Sequence, residues 1–526
     1  MPVTLDANEG SPNQSPPAEP PAEASLGINA GRLRDSLIAL SRFGAHPGGG
    51  AHRFAFSKEE LAARAWITGE MESAGLKVRT DPAGNLFGRR EGKESLPAIL
   101  FGSHLDTVPQ GGHYDGTLGV LGALEVLRAL GEQRIETRHP LEMVVWCDEE
   151  GAHFGNGLFG SRAATGAVHD GELDRLGEDG LSLHEWIERY GLDPKALERA
   201  VLDPRRVRAV FELHIEQGGN LEREGCKIAV VEGIVGIHRF EVNVGGFQNH
   251  AGTTPMAERK DAMLTAAHLI VAVHQEIRAL PGDQVGNVGQ LAVSPDAANV
   301  VPGAVRFPIE LRDLKDEVVD DIIERIGARG DRLATETDCT VGIHRTLREP
   351  PADMDPGLRE LLYKVAREAG HEPLSLPSRA GHDAQNTARH GIPTAMIFVP
   401  SRAGISHNPD EWTSWDDGAL GVYLLGRGVL GFDPGLVAGC RPAAGAPRPS
   451  PLSRSATRRS SAVRSLAALR AAYDFRNTSR PRALDSWMAF TTRSDRSASS
   501  PVSTGSRPSR TASAMSWSCT RCRVCG

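Results

Sequence analysis

The chain has 526 residues, 40% hydrophobic and 5% aromatic, with a mean hydropathy of −0.29 and a net charge of −8. This composition fits a soluble globular protein of about two or three domains and excludes collagenous or wholly disordered classes. No apolar run approaches the ~20 residues of a membrane span, and no basic segment followed by an apolar stretch opens the sequence, so no membrane association is expected and the expected location is the cytoplasm.

Residues 1–26 are rich in Pro, Glu, Ala and Ser and read as a disordered leader. Beyond them apolar, β-rich runs alternate with helical patterns, which points to a layered α/β architecture. Four runs read as buried strands, at 97–101, 141–146, 207–213 and 394–399, and polar or ionisable residues follow each at once. In open α/β sheets, sites form beyond the carboxyl ends of strands, so one active centre could collect all these groups.

The stretch 233–348 reads differently, with strands at 238–244, 285–293, 305–311 and 339–344 and amphipathic helices at 257–280 and 317–336. This β-α-β-β-α-β order is the split ferredoxin-like unit. It is expected as an insertion in a larger domain made of 27–232 and 349–435, with Gly233 and Gly236 as a hinge. Its two helices would cover one sheet face and leave edge strands to pair.

Residues 436–526 hold sixteen Arg, no Lys, three Asp and no Glu, a net of +13 that leaves −21 for residues 1–435. This basic tail has no sustained period and reads as disordered. Its charge could hold nucleic acid non-specifically, but an abrupt switch to Arg without Lys or Glu is also what a GC-rich gene gives out of frame, and no nucleic-acid partner is expected. Four of the seven cysteines (Cys147, Cys226, Cys339, Cys440) are scattered, so no disulfide framework is present, and Cys519, Cys522 and Cys525 lack a fourth ligand for zinc.

The chemistry is concentrated at the strand ends. After the first comes Gly-Ser-His104-Leu-Asp106, then Gly-Gly-His113-Tyr-Asp115-Gly. His104 offers a neutral imidazole, the Asp106 carboxylate is placed to orient that ring, and Asp115 in its glycine-flanked turn can present both oxygens to two cations. His-x-Asp alone also describes a solvated loop. The second strand delivers Asp148-Glu149-Glu150-Gly151, three adjacent carboxylates that repel one another unless cations or solvent compensate. His214 and Gln217 follow the third strand and His407 the fourth; singly, each is an ordinary structural or surface residue. Their coincidence at four strand ends points to a metal centre.

The motifs GSHLDTV, GGHYDGTLG, DEEG, ELHIEQG, NHAGTTPM, NVVPG, GHDAQN and GISHNPDE stand in order across most of residues 30–430. With them the chain resembles the M20 metallopeptidase clan, and within it the N-carbamoyl-L-amino acid amidohydrolase and allantoate amidohydrolase group of the hydantoinase/carbamoylase family. The resemblance implies a mixed-sheet di-metal catalytic domain with a ferredoxin-like α+β lid that also dimerises, giving a homodimer through 233–348. It implies two divalent metal ions per subunit, Zn²⁺ or else Mn²⁺, Co²⁺ or Ni²⁺, with His104 and His214 on one, Glu150 and His407 on the other and Asp115 bridging. Glu149 would be the general base, His250 would stabilise the oxyanion, and Gln217, Asn299 and Arg312 would hold a carboxylate-bearing ureido substrate. Arg379, before the Ala-Gly-His-Asp run, departs from the small residue usual there, and Arg402 adds a second cation nearby. The implied reaction is hydrolysis of N-carbamoyl-L-amino acids, with allantoate amidohydrolase or β-ureidopropionase as the near alternatives. An aminopeptidase or deacylase of the clan is disfavoured by His214, and a non-catalytic binding protein by the complete ligand set.

Overall fold

A computed structural model describes residues 26–177 and 179–433. The basic tail and leader residues 1–25 lie outside the described residues. Leu26, placed in the leader from sequence, is only 3% exposed and packs into the main core.

The chain first lays down β1 (Lys77–Thr80), β2 (Leu86–Arg90), β3 (Ala98–His104), β4 (Leu141–Trp146), β5 (Val207–Ile215) and β6 (Ala229–Ile234). It then departs through β7 (Gly236–Gly245), β8 (Asn249–His250), β9 (Val285–Asn287), β10 (Ala292–Ser294), β11 (Val300–Val301), β12 (Ala304–Asp313) and β13 (Thr340–Glu349). It returns through β14 (Ala352–Asp353), β15 (Leu374–Ser378) and β16 (Thr394–Val399). The returning strands rejoin the first set in one mixed sheet of order β1-β2-β4-β3-β5-β16-β6-β14, with β15 on β6.

The four strands expected from apolar runs, β3, β4, β5 and β16, are neighbours and mutually parallel. Burial on both faces explains their predominantly apolar composition. The helix Thr117–Glu132 packs on one face through Leu118, Leu121 and Leu124, beside the helix Trp415–Gly431, in a core shared with Phe101, Leu213 and Val399. Parallel alignment puts all four carboxyl ends on one edge.

The second sheet has the order β10-β12-β7-β13, with β9 also on β12, and every pairing is antiparallel. Alternation along β7 and β12 buries Phe240, Val242, Val305, Phe307 and Ile309 against the helices Ala262–Ala279 and Asp316–Thr337, in an apolar core of its own. The main elements match the expectation from sequence in type and order, with the short pair β8 and β11 added and the last strand, expected at 339–344, running Thr340–Glu349. The helix expected at 257–280 starts at Ala262, because the Asp261 side chain caps it by accepting from the Met263 and Leu264 amides. The strand expected at 285–293 is two, pairing with opposite ends of β12 at Glu310–Arg312 and Ala304–Arg306. Gly289 lies in the interruption, where the missing side chain weakens a strand. Among the described residues no helix is long and apolar enough to cross a membrane.

Candidate metal centre

The common edge gathers the strand-end residues into two groups that share one carboxylate. His104, Asp115 and His214 form the first, and Asp115, Glu150 and His407 the second. Asp115 Oδ1 lies 3.4 Å from His104 Nε2 and 3.1 Å from His214 Nε2, while Oδ2 lies 3.3 Å from His407 Nε2. Glu150 Oε2 is 3.5 Å from His407 Nε2, and Glu149 Oε2 is 3.7 Å from His104 Nε2.

Backbone contacts set the imidazoles. His104 Nδ1 meets the Asp106 carbonyl at 3.1 Å and His214 Nδ1 the Ile215 carbonyl at 2.9 Å, so each ring donates there and turns its Nε2 inward. Gly116 stands behind Asp115 at φ 64°, and a Cβ there would lie 2.5 Å from the His104 ring, so only glycine fits. Asp148, Gln217 and His407 also adopt positive φ without being glycine, a cost that tertiary contacts at this edge must offset.

The sequence places the Asp106 carboxylate against the His104 ring to orient it; in the structure that carboxylate lies 3.8 Å from Nδ1, beyond hydrogen-bond distance. Instead it accepts the amides of Glu149 at 3.2 Å and Glu150 at 3.0 Å, and so fixes the acidic turn, because the backbone carbonyl already occupies the ring nitrogen. Asp106→Ala is therefore expected to lose about 1–3 kcal/mol for each stranded buried amide. Chemical denaturation would read this, with Asp106→Asn intermediate; an unchanged midpoint for the alanine variant would show that the turn holds itself.

Three residues not singled out from sequence complete the support. Glu411 Oε1 accepts the amides of Tyr114 at 2.9 Å and Asp115 at 3.1 Å, and Ser406 Oγ lies between Glu411 Oε2 at 2.9 Å and Asp115 Oδ2 at 3.1 Å, its one hydroxyl hydrogen serving either carboxylate. Glu212 is held by Ser103 Oγ and the Ala384 amide, beside His214 and His382. Glu411 and Ser406 sit in GISHNPDE, so the motif contained them; nothing local marked them as supports of Asp115.

The electrostatics fit a cationic occupant. Burial, against the His104 charge and reinforced by Glu150 and Asp383, raises the Glu149 carboxyl well above its usual range, and burial with Asp115 pushes Glu150 up to about 8. The hydrogen bond to Asp115 lifts His407 to about 9. His104 Nε2 is fully buried and has no hydrogen-bond partner. Three imidazole nitrogens aimed at clustered carboxylates are a donor set suited to divalent cations, which would relieve the repulsion among the carboxylates.

The other residues named from sequence divide. Gln217 is at the centre: Nε2 donates to Asp115 Oδ2 at 2.6 Å, and Oε1 is buried with no partner. His250, Asn299 and Arg312 belong to the second sheet's segment, and among the described residues they make no hydrogen bond or ion pair with the cluster. β8 pairs with β11 and the Ala251 amide reaches the Asn299 carbonyl at 3.0 Å, so His250 and Asn299 are brought together. His250 Nδ1 accepts the Gly252 and Thr253 amides, which leaves the proton on an exposed Nε2. Arg402 stacks over Trp412 at 4.9 Å, and Arg379 pairs with Asp283 at 3.4 Å, so neither joins the cluster.

Residues 100–430 match the description of peptidase family M20/M25/M40. The chain is 40% identical over 399 residues to an N-carbamoyl-L-amino acid amidohydrolase of Geobacillus stearothermophilus, covering 76% of this chain and 97% of that one. It is 35% identical to an allantoate amidohydrolase of Bacillus subtilis, over 75% and 95% of the two chains. A solved structure described as an amidase of the hydantoinase/carbamoylase family from Burkholderia multivorans superposes with a TM-score of 0.72 at 33% identity, covering 78% of this chain and 98% of that chain. With the family match spanning most of the chain and the metal-ligand types present at each expected strand end, the protein belongs to the M20/M25/M40 peptidase family.

Proposed function

We propose that the protein hydrolyses the ureido C–N bond of N-carbamoyl-L-amino acids, releasing the amino acid, CO₂ and ammonia. The observation that carries this reading is the pair of ligand groups sharing Asp115 beside Glu149, in a chain similar to relatives bearing that name. Zinc is the metal best matched to three imidazoles and two carboxylates, with His104 and His214 on one ion, Glu150 and His407 on the other and Asp115 on both. When bound, the ions would acidify a water and polarise the scissile carbonyl. Glu149 takes the proton from the attacking water and passes it to the leaving nitrogen. Gln217 Oε1 is open to an N–H of the ureido group, the His250 Nε2–H is a donor for the developing oxyanion, and Asn299 and Arg312 take the carboxylate.

Ammonia release across N-carbamoyl-L-amino acids, β-ureidopropionate and allantoate tests the assignment. The highest kcat/KM is expected for an N-carbamoyl-L-amino acid; preference for allantoate would transfer the chain to the neighbouring activity.

Residues 233–348 act in this reading as a lid and a dimerisation surface, because His250, Asn299 and Arg312 must approach the cluster when substrate is bound. Edge strands β10 and β13 suit a two-fold interface. In this reading the lid of one subunit also carries His250 to its partner's site, so mixing inactive Glu149→Gln subunits with inactive His250→Ala subunits is expected to restore activity as heterodimers form, since one site then has both groups. No recovery after verified subunit exchange would mean that each chain builds its own site.

A further inference from the structure

The Arg312 guanidinium is held at its sides and left open at its end. Nε donates to Glu310 Oε1 at 2.9 Å and Nη2 approaches the same oxygen at 2.8 Å. Nη1 donates to the Arg379 carbonyl at 2.6 Å, across from the second sheet to the loop that leads into His382 and Asp383. A guanidinium has five N–H groups in a rigid fork. These contacts use the Nε side and one Nη1 hydrogen, which leaves the paired Nη1 and Nη2 hydrogens of the outer end for a second carboxylate.

Glu310 is fixed in turn. It stands directly opposite Arg239 in the β12–β7 ladder and accepts Arg239 Nε through its other oxygen at 2.7 Å. Glu310 and Arg312 alternate with the buried Ile309 and Leu311, so both project from the sheet face opposite the helices. Each is about a quarter exposed, open enough for a small ligand to reach. A free arginine side chain would lose rotamer freedom on gripping an anion; one already braced by a carboxylate and a carbonyl does not.

We propose that Glu310 is a positioning residue for substrate binding: bridged between Arg239 and Arg312, it sets the Arg312 guanidinium so that its free end receives the carboxylate of the ureido acid. Glu310 does not touch the substrate and takes no part in bond cleavage. The inference rests on the reading of Arg312 as the carboxylate receptor and adds the residue that makes that receptor rigid.

Steady-state kinetics of the metal-loaded full-length enzyme test it, with an N-carbamoyl-L-amino acid and its neutral C-terminal amide as paired substrates. Glu310→Gln is expected to raise KM for the acid by about tenfold, the worth of one charge-assisted contact, with kcat and the kinetics on the neutral amide unchanged. Glu310→Asp should recover part of the loss, and Glu310→Gln should add nothing in an Arg312→Ala background. If Arg312→Ala raises KM for the acid while Glu310→Gln leaves it at wild type or lowers it, the inference is overturned and the Arg312 reading stands. An Arg312→Ala variant with unchanged KM overturns the Arg312 reading, and the inference with it. Equal losses on acid and amide, with a lowered thermal midpoint, would show Glu310 to be a structural contact only.

Discussion

Glu149→Gln is expected to retain its metal and lose between about 10² and 10⁴ in kcat, the usual contribution of a general base. The two adjacent glutamates are not equivalent in the structure. Glu150 groups with Asp115 and His407, completing the second triad, whereas Glu149 faces His104 at 3.7 Å with Glu150 as its other neighbour. The amide of the variant matches the carboxyl in size and is seated on the same backbone, held by Asp106, but it cannot accept a proton. Metal analysis beside turnover separates the roles: Glu149→Gln should bind the wild-type metal complement, and Glu150→Gln should lose metal. More than a tenth of wild-type kcat in Glu149→Gln would remove it from the base role.

Asp115→Ala is expected to lose both metal equivalents and reduce activity to background, because its two oxygens face different imidazoles. Oδ1 lies toward His104 and His214, Oδ2 toward His407, so no other single side chain serves both groups. Burial tends to raise this carboxyl, yet the surrounding histidines, His214 first, hold it well below the ordinary range, so it stays ionised through the neutral range. His407→Ala provides the contrast, since it touches one group alone and should release one equivalent. Metal content by elemental analysis after gel filtration is the readout. One full equivalent retained by Asp115→Ala would show that this carboxylate serves a single cation.

Local sequence carried the elements and the candidate ligands. The apolar-rich runs of β3, β4, β5 and β16 announced buried strands, and the ionisable groups near their carboxyl ends marked His104, Glu149, Glu150 and His214, with His407 in the loop after β16. The order of elements in 236–349 was legible for the same reason: alternation along β7 and β12 and the 3.6-residue period of two helices are properties of neighbours in the chain.

What the chain could not show locally is every relation between segments distant in sequence. That β5 lies between β3 and β16 decides that His214 meets His104 and Asp115, and strand order is a choice of packing to which periodicity is blind. Glu411 supports Asp115 from 296 residues away, and Arg312 finds its carbonyl partner 67 residues on. The Asp106 carboxylate was assigned to the wrong partner because residue type and spacing do not say which of two acceptors, carboxylate or its own backbone carbonyl, the ring will meet; the turn after β3 decides that. The sequence by itself determined which side chains could bind a cation, move a proton or grip a carboxylate, since those are properties of residue types. Only the tertiary structure decided that one aspartate serves two ligand groups and that one glutamate braces an arginine, since hydrogen bonds depend on angles and on distances near 3 Å that exist only once the sheets are assembled.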